Sequence, residues 1–197
     1  LGGPIFDIEK LNWLNGLWIR EDLTAEALAD RLQKWALNRE NLLAVIPHAQ
    51  RRINMLSDFM PLVGFMLAGQ LPLAKSHFDG LKLDEEACVK VLQFCVWRFD
   101  GLADWNKDLI FAELKNMADA MQIKMKDFVA PIFVAVAGTT ASFSVTDSME
   151  LLGSDMTRAR LRQAIEVLGG VGNKTLKKLE QEYQALSAPS AAAEGDQ

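Results

Sequence analysis

The side chains able to do chemistry are few, and most lack a partner at the spacing their chemistry needs. There are two histidines, His48 and His77, and two cysteines, Cys88 and Cys95. A zinc site needs several such ligands at short, defined intervals, and neither histidine has a second histidine or a cysteine so placed. Both histidines are therefore read as exposed. Cys88 and Cys95 stand seven residues apart on one predicted helix, about 10 Å between Cα atoms. A disulfide spans less than about 7 Å, so both are expected to be buried, reduced thiols of a cytoplasmic protein. Glu85 and Glu86 are adjacent carboxylates, but in the first turn of a helix they complement the macrodipole and need no catalytic reading. Gly138-Thr139-Thr140 lacks the lysine and the preceding strand of a phosphate loop. No serine sits in a nucleophile-elbow context. The chain by itself is expected to hold no catalytic residue, no metal and no cofactor.

Binding chemistry is better represented. Arg51-Arg52 falls late in a predicted helix, where one guanidinium can face the core and the other outward. Arg158, Arg160 and Arg162 form a second basic group. At 100° per residue Arg160 points about 200° away from Arg158, while Arg162 shares its face. Lys174, Lys177 and Lys178 form a third. The pattern alone reads the second and third groups as solvated helix faces. Trp13, Trp35, Phe94 and Phe111 lie on apolar stripes and are expected in the core. Phe143, between Ser142 and Ser144, sits in a polar turn, where a loop aromatic can stack on an unpaired RNA base.

The elements that must carry these residues are helices. Ile8, Leu11 and Leu14 recur at three- and four-residue spacing after Asp7, a predicted N-cap. Thr24, Asn38, Ser57, Asp84, Asn106, Ser144 and Asp155 open further helices, Arg39 to Asn54 among them, with Pro47 kinking or dividing that one. Lys126 to Ala137 is apolar nearly all round and should be buried. Gly153 and Gly169-Gly170 stop helices. No strand is predicted. The reading is all-α: two consecutive helical bundles, over 1–75 and 76–186, divided in the connector Leu71 to Leu83. A Ser-Ala-Pro-rich tail at 187–197 is expected to be disordered.

Half of the 197 residues are hydrophobic, enough for a real core, and the formal net charge is -5. An acidic balance disfavours nucleic acid only weakly, because a local basic patch is what matters. No run of about 18 apolar residues occurs, so no membrane span is expected. The first twenty residues carry acidic groups where a secretory signal would need a basic and then an apolar region.

Three segments, in order, resemble one family. Phe6-Asp7-Ile8-Glu9-Lys10-Leu11-Asn12-Trp13-Leu14-Asn15-Gly16, followed by Ile19-Arg20, resembles the segment after the KMSKS loop of bacterial glutamyl-tRNA synthetases, F-D-x-x-K-L-x-W-x-N-G and then Y-I-R. Gln50-Arg51-Arg52-Ile53-Asn54-Met55-Leu56, then Asp58-Phe59, is similar to the family's R-x-R-x-x-T-L-x-E-F helix. Ala130-Pro131-Ile132 through Gly138, then Met149 to Gly153, is similar to its P-L-R-x-A-x-T-G…LLG stretch. The resemblance covers residues 3–170. It implies a class I anticodon-binding superhelix of two helical bundles, from a monomeric enzyme that joins glutamate to tRNA with ATP and Mg2+. Neither the HIGH-type nor the KMSKS-type motif is present, so the chain is expected to bind tRNA-Glu, with tRNA-Gln as a second candidate, but not to aminoacylate it. By the same resemblance Arg52 reads the anticodon, while Arg51 supports the backbone or the fold. Lys10, Asn15 and Arg20 approach the inner corner of tRNA, and Phe143, Ser144 and Val145 form a loop touching anticodon bases. The chain departs from the family at Phe133, where Arg is common, at Phe143, where Pro is common, and at Trp18, which replaces the usual aromatic. The competing reading is a helical protein-interaction scaffold that binds no RNA. DNA and membrane partners are not expected.

Overall fold

The computed structural model describes residues 7–139 and 143–187. The described residues are all-α, with no strand among them. The chain divides into two compact units, 1–47 and 48–197.

In the first unit, side-chain caps start each helix. Asp7 Oδ1 accepts the Lys10 N–H at 2.9 Å and opens α1, Ile8–Leu17. One π turn, Trp18–Asp22, follows. Thr24 Oγ1 accepts the Ala27 N–H at 3.2 Å and opens α2, Ala25–Trp35. Asn38 Oδ1 accepts the Asn41 N–H at 2.8 Å and opens α3, Arg39–Ala49. These satisfy N–H groups that no helical carbonyl can reach. The tryptophans depart from expectation: Trp13 and Trp35 are 60% and 62% exposed. Periodicity shows which residues share a face, but not that another element covers it. α3 also ends at Ala49, short of the predicted Asn54. Pro47 in its last turn cannot donate to the helix ladder, and Arg52 N–H turns back onto the Ala49 carbonyl at 2.8 Å. Arg51 and Arg52 therefore stand in a turn beyond the helix, not on it.

In the second unit, a 3-10 turn, Leu56–Asp58, leads into α4, Phe59–Leu67. Asp58 Oδ2 accepts the N–H groups of Met55 and Asn54, each at 2.9 Å, and these bonds hold its carboxyl below the usual carboxylate range. The segment 71–83, where the sequence reading placed its division, lies within the second compact unit, 48–197. The Leu71 N–H donates to Gln163 Oε1 at 3.2 Å, and Gln163 Nε2 donates to the Leu71 carbonyl at 2.6 Å. Phe78 is buried, and Leu73, Leu81 and Leu83 pack on the core. Proline and glycine make the segment look like a linker; its leucines anchor it.

The bundle proper comprises α5, Glu85–Asp100; α6, Lys107–Ala120; α7, Met125–Ala137; α8, Val145–Val167; and α9, Asn173–Ser187. Asp84 and Asn106 cap α5 and α6 through the N–H groups of Ala87 and Leu109. α8 packs against α4, α5, α6 and α7. The core includes Val91, Phe94, Cys95, Ile110, Leu114, Phe128, Ile132, Met149 and Leu161. α7 is buried nearly all round, as its composition predicts, and Gly138 closes it at φ 72° with its N–H on the Val134 carbonyl. Phe111, expected in the core, is 52% exposed. α8 is broken at Gly153, φ 78° and ψ 165°, the break predicted there. Apart from Ser187, the tail expected to be disordered lies outside the described residues.

Candidate functional site

Arg52 and Phe143, ninety-one positions apart in the chain, meet in the second unit. The Arg52 Cζ stands 5.6 Å from the Phe143 ring centroid, within cation–π range. Three elements position the pair: the turn after α3 supplies Arg52, the approach to α8 supplies Phe143, and α4 supplies Phe65 beneath it. The ring centroids of Phe65 and Phe143 are 6.0 Å apart, and those of His48 and Phe143 are 5.8 Å apart. Phe143 is only 2% exposed while Arg52 is exposed. Phe143 is thus buried rather than displayed in a polar turn, and its ring backs the Arg52 guanidinium.

The rim of the site is charged. His48 Nδ1 lies 3.8 Å from Asp147 Oδ2, and Lys107 Nζ lies 3.6 Å from Asp147 Oδ1. His48 is half-buried, not the surface residue expected; Pro47 and Ala49 leave it in the last turn of α3, facing the ring. Ser144 is exposed, and its Oγ shares a hydrogen bond of 2.8 Å with Thr146 Oγ1. Its side chain makes no capping bond to the start of α8. Val145 packs against the core, so its side chain is occupied by the protein. Arg51 is exposed beside Arg52.

The remaining expected contacts belong to the first unit. Lys10 and Asn15 are exposed on α1, about 140° apart around it at 100° per residue. Arg20 lies in the π turn and folds its guanidinium back over Gly16: a Cβ there would stand 2.9 Å from Arg20 Nη1. Arg31 Cζ sits 4.6 Å from the Trp18 ring centroid.

The arginines of α8 do not form the solvated face expected of all three. Arg158 and Arg162 both reach Asp100 at the end of α5, at 2.8 and 3.3 Å. Arg160 is fully buried. His48, Phe65, Asp147 and Arg160 were not singled out as site residues from the sequence. For Arg160 a signal existed: its helical angle sets it opposite Arg158. Cys88 and Cys95 are buried thiols. Burial, with Asp84 and Glu85 nearby, pushes the Cys88 thiol up to about 11, and burial raises Cys95 further. Among the described residues no group of three His, Cys, Asp or Glu could hold a metal ion, and no helix is long and apolar enough to cross a membrane. No residue of this chain is assigned to Mg2+ or ATP.

The arrangement can present a restrained guanidinium to a flat acceptor edge. A glutamate–tRNA ligase of Saccharophagus degradans is 60% identical over 187 residues, covering 95% of this chain and 37% of that protein. One of Cellvibrio japonicus is 54% identical over the same shares. The chain thus spans little more than a third of the curated relatives it matches. In fold it is similar to the crystal structure of a glutamate tRNA ligase from Elizabethkingia meningosepticum in complex with its amino acid, with a TM-score of 0.59, 21% identity, and coverage of 85% of this chain and 34% of that one. The anticodon binding domain family matches residues 27–165, a span that contains Arg52, Phe143, α3, α4 and all but the end of α8, and the chain belongs to that family.

Proposed function

We propose that this chain is the tRNA-reading portion of a glutamate–tRNA ligase, and that Arg52 reads an anticodon base. The observation that carries the reading is the exposed residue Arg52 with its guanidinium over the buried ring of Phe143, within the matched span. Arginine can donate two parallel hydrogen bonds to one base edge. The ring restricts the side chain before RNA arrives, which lowers the ordering cost of binding. Lys10, Asn15 and Arg20 carry the contact nearer the inner corner of the tRNA, and Arg51 and Ser144 flank the anticodon site. The longer cytoplasmic, monomeric protein supplies glutamate activation with ATP and Mg2+, and tRNA-Glu is the cognate partner.

Fluorescence anisotropy of this chain with tRNA-Glu tests the reading. Affinity is expected to fall as salt rises, because phosphate contacts release counterions. Arg52→Ala is expected to cost about 1–3 kcal/mol against tRNA-Glu, the worth of a bidentate base contact, and less against a tRNA with a substituted anticodon. Equal affinity of wild type and Arg52→Ala for tRNA-Glu refutes the role of Arg52. No retention of tRNA at low salt refutes RNA binding and favours the protein-interaction reading.

A further inference from the structure

Among the described residues, Arg160 is the largest fully buried side chain, and no carboxylate pairs with it. Its guanidinium is held by backbone alone. Nε donates to the Gly69 carbonyl at 3.0 Å, Nη1 to the Val136 carbonyl, and Nη2 to the carbonyls of Phe65 and Ala68. Three of these acceptors lie at the C-terminal end of α4, and the fourth lies in the last turn of α7. The last carbonyls of a helix have no helical donor and carry the negative end of its dipole. One cation therefore satisfies the ends of two helices at once. Burial brings its pKa down to about 10, so it keeps its charge at neutral pH.

One of those helix ends, that of α4, carries part of the Arg52 site. Phe65, whose carbonyl Arg160 holds, is the residue whose ring lies under Phe143. Val136 comes two residues before Gly138, which closes α7. We infer that Arg160 is a positioning residue for anticodon reading: by tying the end of α4 to that of α7 it fixes the Phe65 ring, and through it the tilted Phe65–Phe143 pair against which Arg52 is held. The inference rests on the proposed role of Arg52, but its local consequence can be read without RNA.

The test compares Arg160→Leu, Arg160→Lys and Gln163→Ala with wild type, each well below its melting temperature. Gln163→Ala removes the neighbouring clasp of α8 on Leu71 and leaves the α4 and α7 carbonyls bonded. The first readout is NMR of the free protein. The His48 ring protons report Phe143 through its ring current, and the Trp105 indole N–H, bonded to the Met149 carbonyl, reports the bundle. The second readout is the ratio of affinities for tRNA-Glu and for the same tRNA with a substituted anticodon. Arg160→Lys keeps the charge but not the planar fork. It is expected to shift the His48 signals, leave Trp105 in place, and lower the anticodon ratio about tenfold, the scale of one base contact. Gln163→Ala is expected to leave His48 and the ratio unchanged. If Arg160→Leu does not fold, Arg160→Lys decides. A folded Arg160→Lys with unmoved His48 signals, or with His48 and Trp105 shifted alike, overturns the inference. Shifted His48 signals with no anticodon preference even in wild type would leave the positioning of the ring pair intact and refute the RNA reading instead.

Discussion

Two glycines of the second unit make opposite predictions from the same substitution. A Cβ at Gly64 or at Gly153 would meet no atom within 4 Å, so neither variant creates a clash. What differs is the backbone. Gly64 lies inside α4, where alanine is favoured; Gly64→Ala is expected to stabilise the unit by about 0.5–1 kcal/mol, chiefly by restricting the unfolded chain. Gly153 sits at φ 78° and ψ 165° inside α8, a region that residues with a Cβ almost never occupy. Strain of about 1–3 kcal/mol is expected for Gly153→Ala. For a unit of this size each kcal/mol moves Tm by about 2–4 °C. Gly153→Ala should therefore melt about 2–12 °C below wild type, and Gly64→Ala about 1–4 °C above it, by circular dichroism or calorimetry. The sign is decisive. Were α8 an unbroken helix, alanine at 153 would be favoured by about 1 kcal/mol, so a Gly153→Ala variant that melts at or above wild type refutes the broken geometry of α8.

Three further outcomes follow from the geometry. Asp84→Ala removes the cap of α5 and is expected to cost about 1 kcal/mol in a denaturant titration, more than Ser144→Ala, whose side chain makes no capping bond. Asp58 has a lowered carboxyl pKa, so its contribution is present above its ordinary value of 3.8 and is lost as pH falls through the lower folded value; the melting difference between wild type and Asp58→Asn should close below pH 3.8, and a difference that persists there would count against the N–H bonds of Met55 and Asn54. Cys88 and Cys95 should resist thiol reagents in the native protein near neutral pH and react on unfolding. The Cys88 pKa is raised from 9.0 to about 11, so its contribution is complete below 9.0 and declines as pH rises towards 11. Cys88→Ala should flatten that part of the stability profile, and an unchanged slope would refute it.

The sequence by itself determined the helices and many of their starts. Asp7, Thr24, Asn38, Asp84 and Asn106 could be named in advance because capping is local: a short polar side chain meets an N–H three residues on. Gly138 and Gly153 were legible for a similar reason, since their backbone angles suit a residue without a Cβ. Arg52 was singled out as a candidate through a short motif in its own segment. What only the tertiary structure decided was what each face meets. Trp13, Trp35 and Phe111 lie on apolar stripes yet are exposed, because covering a stripe depends on a distant element. Phe143 looks like a polar-loop aromatic until His48 and Phe65 close over it. Arg160 is the sharpest case. Its angle on α8 sets it with Thr157, Leu161 and Ala164, all buried, but a charge on that side becomes acceptable only when the carbonyl ends of α4 and α7, about 90 and 24 residues away in the chain, arrive at its guanidinium. Side-chain periodicity is a property of one helix; satisfying a buried charge is a property of the three that meet there.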